Sequence, residues 1–217
     1  MKNLVAAGAS RIARTAGLAG IALVALLALG GCDRLGIQAP WSSAKPAEAF
    51  MNTDVTGLEY ARDFALTDHN GKPRTLADFK GKAVVVFFGY TQCPDVCPTT
   101  MMELAGVMKD LGPLADRVQV LFITIDPARD TQALMAQYVP AFDSRFLGLY
   151  GDAAATDKVA KEFKVFYQKV PGKTEGSYTM DHTAGSYVFD PQGHIRLFVR
   201  NGQGTEPLLH DLKLLLS

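Results

Sequence analysis

Cysteine is scarce in this chain: three in 217 residues, at Cys32, Cys93 and Cys97. So few cannot build the disulfide framework of a small exported scaffold. A bridge between Cys93 and Cys97 would staple almost nothing, because so short a loop removes little chain entropy. An excess of one charge is also missing, with 22 Lys and Arg against 22 Asp and Glu. No basic stripe runs along the chain, so nucleic acid is not an expected partner. No apolar run reaches the ~20 residues that a membrane-spanning helix needs. Internal repeats are absent, and the dithiol-exchange spacing C-x-x-C does not occur.

What the first 31 residues do contain is the pattern of an export signal. Lys2, Arg11 and Arg14 precede the uncharged run Ala16 to Leu29, and no acidic residue stands among them. The run closes on Leu29-Gly30-Gly31-Cys32, which resembles a bacterial lipobox. The pattern predicts a lipoprotein signal peptide over 1–31 and a lipidated N-terminus at Cys32. A plain signal peptide, or an anchor with a chance cysteine, is the competing reading. Asp33 resembles the inner-membrane retention signal of enteric bacteria. The expected place is therefore the bacterial inner membrane, with the domain facing the periplasm. Loss of 1–31 leaves 19 basic against 22 acidic residues, a net charge of −3. Residues 32–56, rich in Ala, Pro, Ser and Gly, suit a flexible membrane tether. Residues 57–217 are enough for one domain with a substantial core.

Periodicity gives this domain an alternating plan. Asn70-Gly71 is a hairpin turn signal. Ala83 to Tyr90 is almost wholly apolar, as in a strand covered on both faces. Met101, Leu104, Met108 and Leu111 form one helix face after Pro98, which the sequence places at the first helical position. Val118 to Ile125 reads as a second buried strand. A helix over Gln132 to Phe142 is interrupted near Pro140, and a short strand covers Arg145 to Tyr150. A helix over Asp152 to Phe166 turns Val159, Phe163 and Phe166 inward. Residues 168–177 read as a loop or hairpin excursion. Strands Gly185 to Asp190 and Ile195 to Val199 and a helix over Glu206 to Leu216 close the chain. The order describes an α/β domain with a thioredoxin-like fold, extra N-terminal strands and a β-hairpin insertion.

Cys93-Pro94-Asp95-Val96-Cys97-Pro98 sits where the first central strand gives way to a helix. The C-x-x-x-C spacing favours holding something between two sulfurs over rapid disulfide exchange. The unsatisfied N–H groups of a helix start suit sulfur carrying negative charge. His182, in Asp181-His182-Thr183, can add a third ligand. It lies 85 residues beyond Cys97, so only the fold can unite them. The proline that thiol reductases carry in this loop is missing here. Metal carrier and redox enzyme both remain open on these residues.

Three stretches resemble the Sco/SenC family: Gly89-Tyr90-Thr91-Gln92-Cys93-Pro94-Asp95-Val96-Cys97-Pro98, then Ile125-Asp126-Pro127-Ala128-Arg129-Asp130-Thr131, then Asp181-His182-Thr183. The resemblance runs from about Asp63 to the C-terminus. It implies a membrane-tethered metallochaperone that binds one copper, as Cu(I) or Cu(II), through Cys93, Cys97 and His182. It implies help in assembling the binuclear copper site of cytochrome c oxidase. The implied partners are the copper-bearing oxidase subunit, a copper donor, a thiol reductant, and the membrane through lipidated Cys32. The same Cys93 and Cys97 would also serve a thiol-disulfide reductase or a redox sensor. A peroxidase lacks its expected upstream Thr, and a zinc hydrolase lacks a carboxylate base. His69, His194 and His210 read as ordinary histidines, Met101 as core, and Met180 as the one methionine to watch as a further sulfur donor. Asp126, Arg129 and Asp130 read either as a salt-bridged turn beside the site or as a helix start capped by Asp130 or Thr131. Asp95 reads either as a group near the sulfurs or as a solvated loop residue.

Overall fold

The computed structural model describes residues 49–217, so the expected leader, Cys32 and the expected tether as far as residue 48 lie outside the described residues. Ten strands and four α-helices follow among the described residues. They are β1 (Thr53–Asp54), β2 (Leu66–Asp68), β3 (Pro73–Arg74), β4 (Ala83–Gly89), α1 (Val96–Asp110), β5 (Val118–Thr124), α2 (Gln132–Tyr138), β6 (Leu147–Tyr150), α3 (Ala153–Glu162), β7 (Tyr167–Pro171), β8 (Tyr178–His182), β9 (Gly185–Phe189), β10 (Ile195–Arg200) and α4 (Glu206–Leu216). Eight strands share one sheet in the order β1-β10-β9-β4-β5-β6-β2-β3, while β7 and β8 pair only with each other. β4, β5 and β6 are parallel neighbours, and the remaining pairs are antiparallel. This is the expected thioredoxin-like arrangement, with three small strands before β4 and a hairpin inserted between α3 and β9.

Every residue of β4 is buried, as its unbroken apolar run requires of a strand covered on both faces. Successive side chains point to opposite faces. Phe87 meets the Phe122 ring at 6.0 Å, on the side where Leu104 of α1 and Leu208 of α4 pack. Phe88 meets Phe163 at 5.2 Å on the other. α1 buries Met101, Leu104 and Met108, the stripe read from the sequence, so Met101 is core.

Three of the boundary shifts bear on the site or on the extent of the domain. α1 starts at Val96, not Pro98, which places Cys97 inside the first turn. α3 stops at Glu162, so Phe166 is 60% exposed and does not face inward. There Lys164 adopts left-handed φ (55°), Val165 N–H donates to Ala160 O (2.8 Å) and Lys164 N–H to Lys161 O (3.1 Å). That pattern ends a helix by consuming its last carbonyls. The domain also begins earlier than expected. Asn52 is buried, its backbone N–H and side-chain Nδ2 both donate to Asp211 Oδ2 of α4 (2.9 and 2.8 Å), and β1 pairs with β10. Residues 51–55, expected in the tether, are part of the domain.

His69 joins two strands from the side. Its backbone N–H donates to Gly148 O (2.9 Å), and its ring Nδ1 accepts the Gly148 N–H (3.0 Å). Burial lowers its pKa below the ordinary 6.5, while the charge of Asp68 opposes the shift. A histidine with a depressed folded pKa leaves the unfolded chain to take up the proton first. Its contribution is therefore complete above pH 6.5 and is lost as pH falls through the folded pKa. Urea unfolding at pH 7.5 and 5.0 is expected to show a larger acid loss in the wild type than in His69→Gln. The glutamine keeps an acceptor but does not titrate. Equal losses would contradict this assignment.

Candidate metal centre

The parallel strand β4 ends at Gly89, and the chain turns through Tyr90–Asp95 into α1. Cys93 N–H donates to Tyr90 O (3.2 Å), which closes the turn. Asp95, at the N-cap position, is exposed and makes no side-chain bond to the helix end. It is the solvated loop residue of the two readings. The sulfur of Cys93 stands in for it, accepting the Cys97 N–H at 3.4 Å. One of the orphan donors of the helix start is thus spent on a ligand candidate.

Cys97 is fully buried, with its sulfur seated against Gly89. A Cβ at 89 would lie 3.0 Å from that sulfur and 2.9 Å from the Phe122 ring. Glycine is what lets the thiol reach this depth, a role not read from the sequence. Burial pushes the Cys97 thiol well above its usual range, and the Cys93 sulfur beside it adds to the effect.

His182 ends β8, so the inserted hairpin delivers it. Its Nδ1 lies 2.9 Å from Thr183 O, which fixes Nδ1–H as a donor and leaves Nε2 bare. Nε2 faces Cys97 Sγ at 3.9 Å. The ring stands edge-on to Phe87 (6.5 Å) and Tyr90 (6.3 Å), which confine it. Burial lowers the His182 pKa from 6.5, so the neutral imidazole with a free lone pair prevails at neutral pH.

Between these two segments lies the turn after β5. Both readings of this turn hold at once. Thr131 caps α2, accepting Leu134 N–H (3.3 Å), while Arg129 pairs with Asp126. Asp130 turns inward instead. Its carboxylate accepts Thr91 N–H (3.1 Å), Thr91 Oγ1 (2.6 Å) and Thr124 Oγ1 (2.6 Å), and burial raises its pKa. Asp130 therefore moors the cysteine loop two residues before Cys93.

The fold thus gathers Cys93, Cys97 and His182 at one end of the sheet. Cys93 meets Cys97 and Cys97 meets His182, but among the described residues no three His, Cys, Asp or Glu are already closed as a metal cage. The donor chemistry fits a soft cation: two sulfurs and an imidazole with its Nε2 uncommitted. Met180 is buried two residues before His182 on the same face of β8. His69 is bound to β6. The His194 side chain is 78% exposed, and that of His210 meets Asp211 (2.8 Å), so none of the three joins the site.

The SCO1/SenC family model matches residues 53–217. The bovine mitochondrial "Protein SCO2 homolog" is 38% identical over 153 residues, which cover 70% of this chain and 58% of the bovine one. The chain thus matches a little over half the length of that relative. The Bradyrhizobium japonicum protein ScoI, solved with copper bound, is 45% identical with a TM-score of 0.64, covering 70% of this chain and 96% of its own. Apo Sco1 from Thermus thermophilus is 38% identical with a TM-score of 0.70, covering 79% and 100%.

Proposed function

The chain belongs to the SCO1/SenC family, and from that premise we propose that it carries copper as cargo, held by Cys93, Cys97 and His182, to the copper-bearing subunit of cytochrome c oxidase. The observation that carries the reading is the meeting of Cys97 Sγ and His182 Nε2 at 3.9 Å from positions 85 residues apart. Thiolate sulfur suits Cu(I), and imidazole suits both Cu(I) and Cu(II), so the set can hold either state. The copper-bound Bradyrhizobium relative supports the same cargo. Half-buried Cys93 gives a partner's thiol a point of entry, so copper can leave by exchange of one ligand at a time. A copper donor and a thiol reductant are the further partners of this role.

The unequal burial of the two thiols favours thiol-disulfide reduction as a second reading. Accessible Cys93 would attack a partner disulfide, forming one S–S bond and releasing one partner thiolate. Buried Cys97 would then attack the Cys93 sulfur, releasing the second thiolate and leaving a Cys93–Cys97 disulfide.

Titration of the reduced, metal-free protein with Cu(I) and Cu(II) tests the choice. One tightly held copper with sulfur-to-copper charge-transfer bands supports the carrier. No tight copper, with rapid exchange against a partner disulfide, overturns it in favour of the reductase.

No helix among the described residues is long and apolar enough to cross a membrane. The proposal includes attachment to the periplasmic face of the inner membrane through lipid on Cys32. Metabolic labelling with a radioactive fatty acid is expected to mark the wild type and not Cys32→Ser. No label in the wild type would rule out this anchor.

A further inference from the structure

His182 arrives on a two-stranded hairpin that belongs to a different sheet from the strand leading to the cysteines. Something must fix the distance between the two. Arg129 touches every segment concerned. Its Nε binds the carboxylate of Asp126, in its own turn. Its Nη1 donates to Gln92 Oε1 (3.1 Å), the residue before Cys93, and to Tyr178 O (2.9 Å), at the start of the strand that ends in His182. Its guanidinium carbon lies 3.6 Å from the centre of the Tyr178 ring and 5.6 Å from that of the Tyr90 ring, itself a wall of the His182 pocket. Asp126 completes the set by accepting the Tyr178 hydroxyl (2.9 Å).

We infer that Arg129 is a positioning residue: it clasps the β7–β8 hairpin against the cysteine loop and so holds His182 over Cys97. The inference deepens the copper-carrier reading and rests on it for its use, but its geometry does not depend on a metal. The planar fork suits the task, because one guanidinium spans two acceptors, a carboxylate and an aromatic face at once. Lysine offers a point charge on a flexible stem and cannot make these contacts together. β7 and β8 pair with no strand of the main sheet, so contacts such as these, with buried Met180, are what hold the hairpin against it.

The experiment is alkylation by iodoacetamide of the full, reduced, metal-free chain in detergent, read by peptide mass spectrometry as the ratio of Cys97 to Cys93 modification. Cys97 is buried and Cys93 is not, so the ratio reports the cover over Cys97. Loss of bonds to a charged group predicts a rise of about tenfold or more in Arg129→Ala. Arg129→Lys is expected to behave as the alanine variant does. Tyr178→Ala removes the ring and the hydroxyl from the hairpin side, though not the backbone acceptor, and is expected to give a rise in the same direction. The double variant should add little, because the two residues share one interaction. Thr179→Ala, on the outward face of the same strand, should match the wild type. Loss of the nuclear Overhauser contact between the His182 ring and Cys97, with core methyl shifts unmoved, distinguishes an opened clasp from general unfolding. An unchanged ratio in Tyr178→Ala, and in Arg129→Ala where that variant folds, would overturn the inference. Failure of the wild type to bind copper would sink the carrier reading while leaving this metal-free readout intact.

Discussion

Replacing His182 with alanine is expected to weaken Cu(II) binding by about 100-fold or more. Loss of a group that merely orients a ligand costs 10- to 100-fold, so loss of the ligand itself should reach at least the upper end. Cu(I) should lose less, because the two sulfurs that remain are the softer donors and suit it best. The split between the two oxidation states is the informative part. A variant that weakened both equally would point to a disturbed cysteine loop and not to a missing imidazole. The fold should survive. His182 sits in the hairpin and not in the main sheet, and its ring removes contacts mainly with Phe87 and Tyr90. Competition titration against chelators of known strength, in both oxidation states, measures the effect. Unchanged Cu(II) affinity would remove His182 from the ligand set and leave Cys93 and Cys97 as a two-sulfur site.

His182 was legible because three separated motifs place it, although local pattern alone would have left it among four histidines. The cysteine pair was legible for a different reason. The seven buried residues of β4 announce a central strand, and whatever follows such a strand faces the end of the sheet. The parts that were not legible share a physical cause. The stop of α3 is written in a lysine at left-handed φ, where glycine is the usual signal, so the periodic pattern ran on to Phe166. The early start of the domain rests on Asn52 finding Asp211, 159 residues away, and no local composition reports such a bond. The mooring of Thr91 to Asp130 spans 39 residues, and the contact of Arg129 with Tyr178 spans 49. Sequence showed the turn Ile125 to Thr131 and its charges. Only the packed structure decides that Thr131 serves the helix while Asp130 and Arg129 serve the two segments that carry the candidate ligands.

That division predicts a large effect at Asp130, a residue that touches no candidate ligand. Asp130→Ala is expected to cost about 3 kcal/mol of stability, because it leaves one N–H and two hydroxyl groups without their acceptor, each worth roughly 1–3 kcal/mol when buried. For a domain of this size that is about 6–12 °C in Tm. Asp130→Asn should cost much less, about 1 kcal/mol, since one amide oxygen still receives the Thr91 N–H and the hydroxyls can turn to accept. The direction of the pKa shift sharpens the comparison. Burial raises the Asp130 pKa above the ordinary 3.8, so folding disfavours the ionised form. Its contribution is therefore greatest below that ordinary value and is lost as pH rises through the folded pKa, which leaves the neutral amide at little disadvantage near pH 7. Thermal unfolding of the two variants beside the wild type at pH 7 gives the answer. Asp130→Ala within 1 kcal/mol of the wild type would mean that the cysteine loop holds its place without this mooring. A large loss in the alanine variant, with the asparagine variant near normal, would mean that hydrogen-bond acceptance and not charge fixes Thr91, and with it the approach of Cys93 to the helix end.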